Sequence, residues 1–394
     1  MHAQRIVQEF LAQECPSIHA KRRECVAAIV AASREGGLGV VKIGKALGNT
    51  VALRHRIKRA DRLLSNEHLA VERLAIYRAL AHRLLPQPTH AAIVIDWSDL
   101  LPDGSQQLLR ACLAVQGRAF TIYDEVHPRK HLANAAVHRR FMISLRSVLP
   151  SHCRPLIITD AGFRATWFKM LTELGFAWIG RIRNRDTIQA QTDISWHGCK
   201  ELYAAATGRP KDLGQFSYVR SNRVTCRLIL IRRKPKGRTN KTVFGTSSRS
   251  AHSKKQSKGQ REPWLLAVSP CLYALSAKTV VDLYGKRMQI EQTFRDLKSA
   301  QWGMGLSTSQ TRKPNRLAAL LLIATLLSFA LWLIGLAARR NGYRICYGSR
   351  KKAATTLSIL GLARQWLADH RSQYVSQRQC HDALRELASM VITI

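Results

Sequence analysis

The chain has 394 residues, enough for more than one domain, and carries 63 Lys and Arg against 25 Asp and Glu, a formal net charge of +38. This excess of positive charge predicts a polyanionic partner and salt-sensitive binding. A hydrophobic content of 46% excludes a disordered basic tail. Nine widely spaced cysteines without a CxxC pair argue against a disulfide scaffold or a structural zinc site, and predict free thiols in a reducing cytoplasm. The first residues lack the apolar segment of a signal peptide.

Residues 1–88 are predicted to be helical, because apolar residues recur there at helical spacing. Within this region, residues 43–64 contain a short helix, a Gly-Asn break and a basic second helix, which is the pattern of a helix-turn-helix. The second helix would place four cations at DNA phosphates or base edges: Arg54, Arg56, Lys58 and Arg59. An ordinary helical hairpin has the same pattern and is the alternative interpretation.

Residues 89–183 are predicted to form a mixed sheet flanked by helices. The predicted strands are 91–96, 108–115, 118–126, 155–159 and 176–183, with helices at 131–148 and 166–174. Asp96, in IVIDWSD, and Asp160, in LIITDAGF, each follow an apolar strand. An aspartate at a strand end lies where active-site crevices form, although an aspartate there also commonly starts a turn.

Residues 184–275 alternate short strand-like runs with polar loops, which predicts a β-rich region. Between Arg227 and Arg261 the sequence has twelve Lys and Arg and no Asp or Glu. A solvated loop is one interpretation of such a run, and contact with phosphates is the interpretation we favour. The Ser-, Lys- and Gly-rich part at 246–260 is predicted to be mobile.

A helix is predicted over residues 277–298, with Ser276 as its N-cap. Helical spacing puts four apolar residues on a buried face: Leu283, Ile290, Phe294 and Leu297. An adjacent stripe carries Tyr284, Arg287, Glu291, Arg295 and Lys298. An exposed helix with ion pairs four residues apart would explain the charges of this stripe, but not the tyrosine that begins it.

Residues 317–338 form an uncharged apolar segment of a length that could span a membrane. A helix buried in a large core is the alternative, and we favour it because a single span this late in a strongly basic chain has no evident topology.

The pattern Tyr284-x2-Arg287-x3-Glu291-x6-Lys298 resembles the YREK signature of bacterial insertion-sequence transposases of the DDE group. IVIDWSD, LIITDAGF, EPWLLAVSP and the YREK helix also occur in the order of that family, so the resemblance covers nearly the whole chain. It implies an α/β fold with a ribonuclease-H-like mixed-sheet catalytic core. The implied domains are a helical DNA-binding domain (1–88), the catalytic domain (89–183 and 276–340), a β-rich basic insertion domain (184–275) and a helical C-terminal region (341–394).

The resemblance also implies roles for individual residues. Asp96, Asp160 and Glu291 would be the catalytic triad and the metal ligands, with Asp99 as a rival for the first position. The implied contacts to phosphates near the scissile bond come from Tyr284, Arg287 and Lys298, assisted by Arg295. Trp264 matches the aromatic residue that stacks on a flipped base beside a DNA hairpin, and a Trp in the core of a strand is the alternative.

The implied activity is transposition: binding of terminal inverted repeats, excision through a hairpin, and joining of the 3′-OH ends to target DNA. The cofactor would be two Mg²⁺ ions, with Mn²⁺ as a substitute, because carboxylate oxygens suit Mg²⁺ and a metal pair assists both the attacking and the leaving oxygen.

The partners implied are double-stranded DNA, at the terminal repeats and at the target, and a second copy of the chain in a homodimeric synaptic complex, with no membrane. The expected location is the bacterial cytoplasm, at the nucleoid. The competing hypotheses are a ribonuclease-H-like nuclease or resolvase without strand transfer, and a non-catalytic DNA-binding protein.

Overall fold

The computed structural model describes residues 3–48, 50–183, 186–234, 246–248, 250–251, 254, 259, 261–301, 303–347, 357–369 and 375–394. The chain divides into two compact units, Met1–Pro155 with Met288–Ile394, and Leu156–Arg287. This division follows packing, and the predicted domain boundaries stay predictions. The predicted mobile part at 246–260 lies mostly outside the described residues, as does much of the basic run around it.

The first unit begins with five helices, in agreement with the predicted helical N-terminal region. They are α1 (Ala3–Glu14), α2 (Ala20–Gly36), α3 (Val40–Ala46), α4 (Leu53–Leu64) and α5 (Glu67–Leu84). The side chain of Asn66 caps α5 by accepting a hydrogen bond from the Leu69 N–H.

Three antiparallel strands follow as a meander in the order β3-β2-β1. They are β1 (Ala92–Asp99), β2 (Gln106–Leu113) and β3 (Phe120–Pro128). The prediction that the first strand stops at Asp96 is wrong. Pairing with β2 continues as far as Asp99 opposite Gln107, so Asp96 lies inside the strand.

A short 3-10 turn (Arg129–His131) and helix α6 (Ala135–Val148) complete this segment. The predicted helix start at residue 131 is wrong, for two local reasons. Ala133 has a left-handed backbone with φ of 58°, and the Asn134 side chain caps the helix by accepting from the N–H groups of Ala136 and Val137.

The second unit is rich in strands. Its elements are β4 (Leu156–Thr159), α7 (Ala165–Glu173), β5 (Ala177–Ile182), β6 (Thr187–Ala190), β7 (His197–Gly198), β8 (Lys211–Tyr218), β9 (Val224–Ile231), β10 (Trp264–Val268) and α8 (Ala277–Gly285), with 3-10 turns at Cys199–Ala205 and Pro270–Leu272. The strand order is β4-β5-β10-β9-β8-β6-β7. The β4 and β5 strands are parallel and joined through α7, whereas the other described pairings in this unit are antiparallel.

The predicted continuous helix over 277–298 is two helices, α8 and α9 (Met288–Lys298). The N–H of Lys286 bonds to the Leu283 carbonyl, and the N–H of Arg287 bonds to the Tyr284 carbonyl. These tighter i→i−3 bonds end α8 just after Gly285, a residue with low helix propensity. The predicted Ser276 cap is confirmed, because its hydroxyl accepts from the Thr279 N–H at 3.1 Å.

The remaining elements of the first unit are a 3-10 turn (Leu306–Thr308) and helices α10 (Pro314–Arg340), α11 (Tyr343–Cys346), α12 (Ile359–Asp369) and α13 (Gln377–Ser389). By length and composition α10 could cross a membrane, but 94% of its most apolar window is buried inside the protein. It packs against α1, α2, α12, α13 and β3. The interpretation as a core helix is therefore confirmed. All nine cysteines are free thiols, as predicted.

Candidate active site

Asp96 belongs to a row of charged residues that crosses the three-stranded meander. Strand register pairs Asp96 with Arg110, and Arg110 with Asp124. Directly paired residues of antiparallel strands have side chains on the same face, so the three side chains share one face. Arg110 donates from Nε and Nη2 to the two carboxylate oxygens of Asp124, each at 2.8 Å. This ion pair is buried, with the side chains 3% and 0% exposed.

Helix α9 lies against the same strands and is fixed by three hydrogen bonds. They are Gln289 Nε2 to the Val115 carbonyl at 2.9 Å, Arg110 Nη1 to Thr293 Oγ1 at 3.3 Å, and Lys298 Nζ to Ser98 Oγ at 2.7 Å. Val115 lies near the start of β1, since its neighbour Ala114 bonds to Ala92. The contacts therefore follow β1 from its start to its end, and α9 runs alongside β1 in the same direction.

Asp96 and Glu291 consequently lie on neighbouring elements of one unit. Asp96 is half-buried, and its Oδ1 accepts from the Trp97 N–H at 2.8 Å. Glu291 is exposed in the first turn of α9, between the Gln289 and Thr293 contacts. Seven residues make about two helical turns, so Glu291 is on the same side of α9 as Lys298.

Lys298 and Asp99 interact electrostatically near the end of β1. Burial lowers the pKa of the Lys298 ammonium, while the nearby Asp99 carboxylate opposes that shift. Asp99 is exposed and accepts a 2.7 Å hydrogen bond from Gln107. Because strand side chains alternate, Asp99 lies on the opposite face from Asp96. This arrangement favours Asp96 over its rival as the acid that faces α9.

The opposite face of β1 carries a contact that the sequence did not reveal. The Trp97 indole N–H donates to His138 Nε2 at 3.0 Å, which connects β1 to α6. Burial lowers the pKa of His138 to about 4, and the neighbouring His127 adds to the shift. A neutral imidazole can accept the indole hydrogen bond, so the residue beside Asp96 is held in place.

Asp160 follows β4 directly, as predicted, and starts a tight turn in the second unit. Its Oδ1 accepts from the Gly162 N–H at 2.7 Å. A Cβ atom added at Gly162 would come within 3.0 Å of that oxygen. Glycine therefore allows the turn to close around the carboxylate.

A buried phenol lies among cations in the same unit. Tyr284 is 3% exposed. Burial raises the pKa of Tyr284; Arg287 and Arg181 oppose this, whereas Asp160 adds to it. These four side chains are thus in electrostatic contact. Arg181 is not among the predicted site residues; the sequence signal for it is a cation in the otherwise apolar strand β5.

Trp264 opens β10 and is half-buried. The rings of Trp264 and Tyr284 pack edge to face, with their centroids 4.9 Å apart. The Arg233 guanidinium lies over the Trp264 ring, 4.9 Å from its centroid. Arg233 was also missed, because it is one of many cations in the basic run.

The basic residues of α4 separate into two groups. Arg54, Lys58 and Arg59 are exposed. Arg56 is half-buried and donates from Nη1 to two carbonyls at the end of α3, Leu47 at 2.7 Å and Lys45 at 3.2 Å. Arg56 therefore joins the two helices of the predicted helix-turn-helix. Arg295, predicted to assist in phosphate binding, is exposed on α9.

No group of three or more His, Cys, Asp or Glu side chains within the described ranges is arranged to hold a metal ion. The predicted triad is divided between the units: Asp96 and Glu291 belong to the first and Asp160 to the second. Carboxylate oxygens are nevertheless the donors that Mg²⁺ prefers, so the chemistry of the three residues fits that ion.

A mixed α/β fold with acids on and after its strands, among many cations, is typical of enzymes that act on nucleic acids. Residues 88–329, more than half of the chain, match the Transposase DDE domain family. The protein belongs to this family. It is a DDE transposase, of a family of enzymes that cleave DNA and transfer strands in transposition, bind DNA and generally use a divalent metal. No curated protein matches the sequence.

Proposed function

We propose that this protein excises an insertion sequence and joins its 3′-OH ends to target DNA, with Asp96, Asp160 and Glu291 as the catalytic carboxylates. The observation that carries this assignment is the anchoring of α9 along β1. It supports the assignment because Lys298, on the side of α9 that also carries Glu291, bonds to Ser98, whose side chain is on the same face of β1 as that of Asp96. The family supplies the class of reaction, and the assignment of the three acids is our inference.

The three carboxylates would hold two Mg²⁺ ions, with Mn²⁺ as a substitute. Backbone N–H groups orient two of these carboxylates through one oxygen each, Trp97 for Asp96 and Gly162 for Asp160. When bound, the ions would activate the attacking oxygen and stabilise the leaving oxygen.

Four cationic or phenolic side chains would bind the DNA phosphates near the scissile bond. Because burial raises the pKa of Tyr284, its phenol stays neutral and can donate its O–H to a phosphate oxygen. Arg287 and Arg295 would donate guanidinium hydrogen bonds, and Lys298 its ammonium group. On α4, Arg54, Lys58 and Arg59 would contact the terminal repeats.

Excision through a hairpin would require a base to leave the DNA stack. We assign Trp264 as the ring that receives this base, on the face that Arg233 now covers. Displacement of the guanidinium would exchange a cation–π contact for base stacking, which is worth about 1–3 kcal/mol per base.

The architecture supports a ribonuclease-H-like core, because the β3-β2-β1 meander and the parallel β4–α7–β5 segment are its two components. We further propose that a homodimer synapses the two DNA ends, in the bacterial cytoplasm at the nucleoid.

The triad is tested with DNA that carries the sequences flanking the gene, which on this proposal contain the terminal inverted repeats. Asp96→Asn, Asp160→Asn and Glu291→Gln should each abolish Mg²⁺-dependent cleavage while end binding changes by less than about twofold, because only metal ligands are lost. Asp99→Asn decides between the rival acids and should still cleave. Cleavage by any of the three triad variants would contradict the assignment.

Strand joining separates the competing functions. Wild-type protein should both cut the ends and join them to target DNA. Cleavage without joining would favour a nuclease or resolvase, and binding without cleavage would favour a non-catalytic protein.

The role of Trp264 is tested by Trp264→Ala, which should leave the first nick intact and reduce hairpin formation. Trp196→Ala is a matched control, because the Trp196 ring also carries an arginine, Arg223, at 5.4 Å. Equal hairpin yields from the two variants would remove Trp264 from the mechanism.

A further inference from the structure

We propose that Arg110 is a positioning residue, which sets the strand that carries Asp96 against the helix that carries Glu291. This inference rests on the proposed catalytic role of those two acids. Neither the charge pattern of β2 nor the family resemblance pointed to Arg110.

The guanidinium of Arg110 contacts two elements beyond its own strand. Nε and Nη2 donate to Asp124 on β3, and Nη1 donates to Thr293 Oγ1 on α9. The guanidinium carbon also lies 5.6 Å from the centroid of the Phe294 ring on α9. Arg110 therefore ties the meander to α9 through one hydrogen bond and one cation–π contact.

Thr293 transmits this contact to the first turn of α9. Its hydroxyl donates to the Ile290 carbonyl at 2.8 Å, so its oxygen is the acceptor for Arg110. Ile290 and Thr293 lie on either side of Glu291 in the sequence. The turn of helix that carries Glu291 is thereby fixed at the level of Arg110.

On β1, Asp96 lies at the same height as Arg110, because these two residues are register partners. One buried side chain thus sets both the height of Asp96 on the strand and the height of Glu291 on the helix. Small displacements between two metal ligands are costly, because Mg²⁺ requires nearly ideal octahedral geometry.

The energetics favour a positioning role for the Arg110–Asp124 pair. Burial alone would lower the pKa of Arg110, but Asp124 outweighs this effect and the pKa is raised, so the guanidinium stays charged. A buried ion pair can often be replaced by apolar residues without loss of stability.

The test replaces the pair by apolar residues of similar size, Arg110→Met with Asp124→Leu. We expect a folded protein that binds end DNA like wild type. The Mg²⁺ concentration for half-maximal cleavage should rise roughly 10- to 100-fold, the usual cost of losing an outer-shell contact to a metal site. A folded double variant with the wild-type Mg²⁺ dependence would overturn the proposal.

Two further variants keep the test decisive if the double variant does not fold. Thr293→Val removes the hydroxyl that accepts from Arg110, together with its bonds to the Ile290 carbonyl and Cys112 Sγ, and leaves the ion pair intact. This variant should also raise the Mg²⁺ requirement. Thr293→Ser restores the hydroxyl and should restore the wild-type Mg²⁺ requirement. A Thr293→Val protein with unchanged Mg²⁺ dependence would contradict the proposal.

A matched control is the Arg22–Glu72 pair of the N-terminal helices, which is also bidentate, at 2.6 and 2.5 Å. Arg22→Met with Glu72→Leu should keep the wild-type Mg²⁺ dependence.

The proposed function and the positioning role of Arg110 can fail separately. Cleavage by Asp96→Asn or Glu291→Gln would overturn the proposed function, whereas wild-type behaviour of the Arg110 and Thr293 variants alone would overturn only the positioning role.

Discussion

Single backbone N–H groups orient the two strand-associated acids of the proposed site. Trp97 bonds to Asp96 and Gly162 bonds to Asp160, in each case through Oδ1. Charge-assisted bonds of this kind fix a carboxylate more firmly than water does. On the reverse face, the hydrogen bond from Trp97 to His138 holds the residue next to Asp96 and gives the fold a dependence on pH.

Stability should fall on acidification because of His138. Its pKa is about 4 in the folded protein, against 6.5 for an ordinary histidine. The unfolded chain therefore binds more protons between these values, and the free energy of unfolding decreases as pH falls from about 6.5 to about 4, by at most roughly 3 kcal/mol. His138→Gln keeps an acceptor for Trp97 but removes the titrating group. The free energy of unfolding of this variant should therefore change less between pH 6.5 and pH 4 than that of the wild type. Urea denaturation at pH 7, 5.5 and 4.5 measures it; parallel profiles for variant and wild type would exclude His138 as the cause.

At the scale of elements, ends and breaks of helices decide which side chains can act together. The break after Gly285 separates Tyr284 and Arg287 from Glu291 and Lys298, which a continuous helix would have placed on one stripe. In the N-terminal hairpin, Arg56 donates hydrogen bonds to two carbonyls at the end of α3, whereas the other predicted DNA-binding cations of α4 are exposed.

The two groups of cations on α4 should respond differently to mutation. Arg56→Ala should lower the melting temperature through the loss of about 1 kcal/mol, and leave the salt dependence of DNA binding unchanged. Combined Arg54→Ala, Lys58→Ala and Arg59→Ala should leave the melting temperature nearly unchanged. This triple change should reduce the slope of log affinity against log salt by about 2 to 3, because three phosphate contacts are lost. Salt titrations by fluorescence anisotropy check this, and an unchanged slope for the triple variant would contradict DNA contact by α4.

At the scale of the whole molecule, α10 supplies the centre of the first unit. N-terminal helices, C-terminal helices and strand β3 all pack on it, so distant parts of the chain share one core. The formal net charge of +38 favours association of the whole molecule with DNA.

A charge placed in α10 should therefore unfold the first unit. Leu322 is 0% exposed, and Leu322→Asp should cost more than about 4 kcal/mol, since it buries an unpaired carboxylate. Val71 on α5 is 81% exposed, so Val71→Asp makes the same chemical change at the surface and should cost less than about 0.5 kcal/mol. Thermal denaturation compares them, and similar melting temperatures would mean that α10 is not a core helix.

Local patterns in the sequence were sufficient to predict several helices and strands. The region predicted to be β-rich, residues 184–275, contains the buried strands β9 and β10, because buried strands are continuous apolar segments between polar loops. The buried face predicted for residues 283–297 also agrees, since both helices keep helical periodicity on either side of the break. The sequence pattern did not predict where the strand that carries Asp96 ends, because this depends on how far β1 stays paired with β2.

Composition and periodicity by themselves determined a basic α/β protein with a buried apolar helix and acids at its strands, because these features depend on residues close together in the chain. Only the tertiary structure decided which side chains face one another. Arg110 meets Asp124 across a strand pair and Thr293 on a helix much further along the sequence. Such contacts depend on strand register and helix packing, which arise from the whole fold and leave no local periodic signal.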